Sequence, residues 1–277
     1  MEEPSTKLSR KNFWAIAINS TTTFFLAYIS VFYINFFLKI AMAAVFNYPV
    51  NFTYNKINYF IQSYEWTHDS VRLIYSSGPL VLLVFGVLSL VIYASMSEEE
   101  GRMKTFFIWF TMHAFNFVFS GLMIGNIFTH GIGHVFNWMY LHDTTKMIVA
   151  LVGFFGLLLT AILVTKPIES SAVSYFNKLN DKNIPFFITA QVIVPYALGS
   201  LLVILYFFPL VSFQVKYSWI VLGVLIMIIV GRVNYMEPLV FDVEEKHISV
   251  SWPSVIFTAV IALLIHFLLA TPRSFGM

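Results

Sequence analysis

The sequence predicts an all-α fold: a polytopic integral membrane bundle of about seven transmembrane helices, six or seven by the spacing of its apolar runs, with no large soluble domain. Three observations carry this. Only 11% of the 277 residues are charged, against roughly 25% in a soluble domain, and the mean hydropathy is +0.79. Long apolar runs recur along the chain, separated by short polar connections. No run shows the alternation of a transmembrane barrel, so helices, which satisfy their own backbone groups, are the structures expected to cross.

A polar tail, 1–12, carries Lys7, Arg10 and Lys11 and precedes a first span near 14–38. The apolar run continues to Phe46, beyond the apolar core of about 7–15 residues in a signal peptide, and reads as an uncleaved span. Further spans fall near 73–96, 105–128, 147–165, 184–208, 218–235 and 254–271. Each is matched to roughly 30 Å of hydrocarbon. Together they make a single transmembrane domain, 13–271, followed by a C-terminal tail, 272–277.

Residues 47–72 form an interfacial segment between the first two spans. Tyr54, Ile57, Phe60, Ile61 and Tyr64 share one helical face, with Asn55, Asn58, Gln62 and Glu65 largely opposite. That is the pattern of a helix lying in the interface plane; a structured cap over the bundle is the equal alternative. Ser76-Ser77-Gly78-Pro79, Pro185, Pro195 and Gly199-Ser200 interrupt two spans. Kinks satisfied by neighbouring helices are expected there rather than broken helices that open carbonyls to a path. Glu98-Glu99-Glu100 before Arg102 reads as a solvated turn. The segment from Glu237 to His247, with Asp242, Glu244 and Glu245, reads as a solvated loop.

A cytoplasmic N-terminus places Lys7, Arg10, Lys11, Arg102, Lys104, Lys166, Lys178, Lys182, Arg232 and Lys246 inside. Lys39, Lys56, Arg72, Lys146, Lys216 and Arg273 stay outside, which satisfies the positive-inside rule. The abundance of Phe, Asn, Ile and Lys favours a bacterial cytoplasmic membrane. The absence of cysteine excludes disulfides, thiolate catalysis and Cys-ligated metal. A net charge of +2 with no basic stripe gives no reason to expect nucleic acid, and no P-loop motif is present.

The chemistry is expected between Thr105 and Leu141, where no Asp, Glu, Lys or Arg occurs yet His113, Asn116, Asn126, His130, His134 and Asn137 do. Imidazoles and carboxamides at hydrocarbon depth face protein or water rather than lipid. This span is therefore expected at the centre of the bundle, its stripe forming a substrate or proton path. The segment is too long for one straight crossing and is expected to break at Gly131–Gly133. Gly121 and Gly125 offer close helix approach.

Packing by interhelical hydrogen bonds competes with any chemical role. A metal ion at His130 and His134, spaced i, i+4 and completed by His142 and Asp143 or by His113, is the sharper reading. The zinc-hydrolase pattern places Glu after the first His; Gly131 stands there. Phe128-Thr-His130-Gly-Ile-Gly-His134-Val-Phe-Asn137 resembles the His/Asn region of rhomboid intramembrane serine proteases. Its spacings are about one residue short, and no Gly-x-Ser-Gly segment follows.

These readings converge on a non-enzymatic membrane component: a small transporter or channel, or a subunit of a larger membrane complex. Its partners are the lipid bilayer and, in the subunit reading, other membrane proteins or further copies of itself. The alternative is an intramembrane enzyme acting on lipid or peptide, with a metal ion or with His as acid and base. No organic cofactor is implied.

Overall fold

The computed structural model describes residues 8–96, 101–209, 213–233, 238–241 and 246–276. The turn at Glu98-Glu99-Glu100, the acidic residues Glu237, Asp242, Glu244 and Glu245, and Lys7 lie outside them.

Helix α1 runs Arg10–Val45, with Ser9 capping its start by accepting from Asn12 N at 3.2 Å. No Gly or Pro interrupts it. Its polar run survives inside an apolar helix by bonding backwards: Thr22 donates to the Ile18 carbonyl at 2.8 Å, Thr23 to Ser20 O at 3.0 Å and Ser30 to Leu26 O at 2.9 Å. Beyond α1, β1 (Val50–Thr53) and β2 (Lys56–Tyr59) form an antiparallel hairpin.

The expectation of an interfacial helix over this stretch is overturned. Pairing of Val50 with Tyr59 and Phe52 with Ile57 puts these four side chains on one face, in the period of two that a hairpin requires. That face closes on a small cluster around Ala43, Tyr48 and Ile74. The cap alternative describes the segment better.

α2 (His68–Ser95) starts at a capping box between Thr67 and Ser70 and contains Pro79. Gly78 lies so close to the Asn35 carboxamide on α1 that a Cβ there would meet Oδ1. α3 (Gly101–Ser120) continues through a π-helical turn, Gly121–Gly125. The chain then turns through Thr129 (φ 53°) and Gly131 (φ 57°) into the short α4 (Gly133–Trp138). The break expected at Gly131–Gly133 therefore begins a few residues earlier.

α5 (Asp143–Ser170) packs on α3, where a Cβ on Gly153 would strike the Phe119 carbonyl and one on Gly156 the Phe119 ring. The close helix approach is thus made by Gly153 and Gly156. Gly125 instead accommodates the returning His130 carbonyl, and Gly121 faces Ile132.

α6 (Ile184–Ile188), a π turn (Thr189–Ile193) and α7 (Val194–Phe207) form one interrupted rod. Pro195 has no N–H to give the carbonyl four residues back. That carbonyl, on Gln191, accepts from Ser20 of α1 at 2.7 Å, as expected of a kink repaired by a neighbour. α8 (Phe213–Val233) and α9 (Trp252–Ala270) complete the bundle. β3 (Lys178–Leu179) pairs with β4 (Leu239–Val240) at one end. At the other, β5 (Arg273–Phe275) adds to the free edge of β1, so the stretch expected as a tail is a strand.

Among the described residues, seven helical segments are long and apolar enough to cross a membrane, each overlapping one expected span. α3 is the central one: 67% of its most apolar window is buried, against 17–44% in the other six. α1 and α3 form the axis around which the other helices pack.

Candidate functional site

The polar stripe of α3 divides into three layers with different surroundings. The first, nearest the N-terminal end of α3, is a hydrogen-bonded network. Trp109 Nε1 donates to Ser20 Oγ at 2.9 Å, Ser20 passes its own proton to the Gln191 carbonyl, and Gln191 Nε2 donates to Thr105 Oγ1 at 3.2 Å. Asn19 fastens the same end by donating to Ser249 O at 2.9 Å and accepting from Ser251 N at 2.8 Å. Beside it a void of about 10 Å³, lined by Asn19, Thr23, Thr105, Tyr175, Ser251 and Ser254, has room for about one water. Sequence reasoning missed Ser20, Trp109 and Gln191. The signal was there in Pro195, which implies a donor for the carbonyl at Gln191.

The middle layer is His113 with Asn116, 3% and 1% exposed. Asn116 donates to both the carbonyl and the hydroxyl of Ser218 on α8, each at 2.8 Å, while its Oδ1 has no partner. The His113 ring sits among Phe24, Tyr28 and Trp109, with centroids at 4.4, 5.3 and 6.0 Å. Nε2 is buried with no hydrogen-bond partner among the described residues. Buried polar atoms left this way are rare and call for an explanation.

A cavity of about 400 Å³ borders this ring. Its floor is Phe24 and Tyr28 of α1 with His113 of α3, and its walls are Ser200, Val203 and Ile204 of α7 and Ser218, Trp219, Ile220 and Leu222 of α8. Lys216 stands at its exposed rim. α7 and α8 meet where the Tyr196 hydroxyl reaches the Trp219 carbonyl at 3.3 Å and presses on Gly223. The cavity lies between the residues that these two helices contribute. Its size is that of small-molecule sites, which are mainly apolar with a few placed polar groups. Ser200 and His113 border one space, yet no hydroxyl hydrogen-bonds Nε2.

The third layer lies past the π turn, outside the long apolar helices. Asn126 is buried and donates to the Lys146 carbonyl at 2.6 Å. Asn137 is exposed and accepts from Lys146 Nζ at 3.5 Å. His130 is exposed beside the Phe213 ring at 4.6 Å, while half-buried His134 lies 4.8 Å from the Tyr75 ring, above which Lys39 Nζ sits at 5.5 Å. Burial, with smaller contributions from nearby His130 and Lys39, holds the His134 pKa below its usual value.

The turn at Thr129 and Gly131 separates His130 and His134, which do not share a helical turn. His142 and Asp143 are exposed at the start of α5. Among the described residues no three His, Asp or Glu side chains converge on a metal-sized site. Of the six expected path residues, then, only His113, Asn116 and Asn126 are buried, and only His113 borders the cavity. No family model, no curated protein and no solved structure matches the chain.

Proposed function

We propose that this chain is a seven-span integral membrane protein, its N-terminus on the cytoplasmic side of a bacterial membrane, that works as a small non-enzymatic carrier. Its ligand enters from the bilayer between α7 and α8 and is held over His113. The observation that carries this is the cavity of about 400 Å³ whose floor includes a buried imidazole with an unpartnered Nε2.

Membrane embedding is supported by the seven apolar helices and by the apolar side chains on their outer faces, among them Leu80 and Val84 of α2, Phe155 of α5 and Phe267 of α9. Lipid is the solvent that covers so much apolar surface without cost. A carrier is the reading that the size and apolar lining of the cavity support. It is favoured over a continuous channel because the first layer is closed by its own hydrogen bonds.

The test uses the full chain in phospholipid nanodiscs. Native mass spectrometry is expected to show one saturable apolar ligand on the wild type. Ile204→Trp, which fills the cavity from its wall, is expected to lose it. Equal retention by both proteins removes the cavity from the mechanism.

A further inference from the structure

The cavity changes character along its length, and the change narrows the ligand class, a step that rests on the carrier reading above. Phe24 lies against Gly199 of α7, while Tyr28, one turn further along α1, has its ring 6.3 Å from that of Phe207 at the end of α7. Lys216 is the first residue of the apolar span in α8. Leu222, fully buried, lies about 9 Å deeper along the same helix. Phe24 and Leu222 therefore mark the deep end of the cavity, and Tyr28 and Lys216 the end toward the rim.

Two donors at the rim have no partner among the described residues. Lys216 is exposed and makes no ion pair there, and no acidic side chain borders the cavity. The Tyr28 hydroxyl makes no hydrogen bond and, unlike that of Tyr217, is not sealed inside protein. An ammonium and a neutral O–H at one mouth are complementary to an anion that accepts from both. Further in, the wall is chiefly Val203, Ile204 and Ile220, with the small hydroxyl of Ser200. Charge at the membrane surface and hydrocarbon inward is also the order that keeps an ionised head out of the apolar interior. The volume of about 400 Å³ falls toward the lower end of the roughly 300–1,000 Å³ of small-molecule sites, which suits one alkyl chain better than the two of a phospholipid.

We infer that the cavity takes a single-chain carboxylate, the anion of a fatty acid. Its head accepts from Lys216 Nζ and the Tyr28 hydroxyl, and its chain runs between α7 and α8 toward Phe24 and Leu222.

The experiment titrates dodecanoate and 1-dodecanol against the full chain in phosphatidylcholine nanodiscs, read by native mass spectrometry. The pH is about 8, where the acid is ionised and lysine keeps its proton. The wild type is expected to bind the acid about tenfold tighter than the alcohol, the scale of one hydrogen bond to a charged group. Lys216→Gln brings the two together, Lys216→Arg keeps them apart, and Tyr28→Phe loses part of the difference. Ile204→Trp, which fills the wall, removes both ligands.

Equal binding of acid and alcohol by the wild type overturns the carboxylate assignment while leaving an occupied cavity, and with it the carrier reading, in place. A preference that survives Lys216→Gln, or one that Tyr28→Phe leaves whole, overturns the placing of the head. With phosphatidylglycerol added to the nanodiscs, a phospholipid mass retained in place of dodecanoate overturns the single-chain ligand. No saturable binding of either probe overturns the carrier reading itself.

Discussion

Two layers of α3, one turn apart, are equally buried and equally polar, but they differ in how their hydrogen bonds end. In the first, the indole of Trp109, the hydroxyl of Ser20 and the side-chain amide nitrogen of Gln191 all donate within the protein, while Gln191 Oε1 stays unpartnered away from the large cavity. In the second, His113 borders the cavity and keeps its buried Nε2 without a hydrogen-bond partner among the described residues. Polar residues inside an apolar bundle are therefore not one class. Those whose donors are used up hold helices together; a ring that borders a cavity is available to something else.

Stability measurements should separate the layers. The largest effect is expected from Ser20→Val, which removes the acceptor of Trp109 and the donor that satisfies the Gln191 carbonyl at the Pro195 kink. Two orphaned buried groups correspond to about 2–4 kcal/mol, read as a lower thermal midpoint in nanodiscs. His113→Phe keeps the aromatic packing and removes a buried polar atom that has no partner, so at most about 1 kcal/mol is expected, with the main loss in ligand binding. A His113 variant as destabilised as the Ser20 variant would show the middle layer to be packing too.

The smallest effect belongs to the third layer. The His134 pKa is held down in the folded protein, so the unfolded chain takes up its proton first as pH falls. Its contribution is intact above the ordinary histidine pKa of about 6.5 and is lost as pH falls through the lower folded value. Thermal midpoints measured from pH 8 downwards should decline more steeply in the wild type than in His134→Gln. Parallel curves would reject this.

Much of the fold was legible from hydropathy alone, because seven apolar runs leave few other structures in lipid. The central place of α3 was also readable, from polar residues recurring on one face without charge. The His130–His134 pair was misjudged for a physical reason. Its spacing has meaning only on a continuous helix, and positive φ at Thr129 and Gly131 ends that continuity. The hairpin was misread because Tyr54, Ile57 and Ile61 fit helical spacing while Val50, Phe52, Ile57 and Tyr59 fit strand pairing, and a short apolar segment satisfies both periods. The cavity was not legible at all. It is lined from four helices, α1, α3, α7 and α8, a product of three-dimensional packing rather than local pattern.

The edge strand β5 has a consequence for biosynthesis. The β1–β2 hairpin is made just after the first helix, but its open side is zipped only by residues that follow the last one. A ribosome must therefore make α9 and the strand after it before the lid at that end is sewn shut. Until then the hairpin shows bare amides and carbonyls, the kind of edge to which another polypeptide sticks.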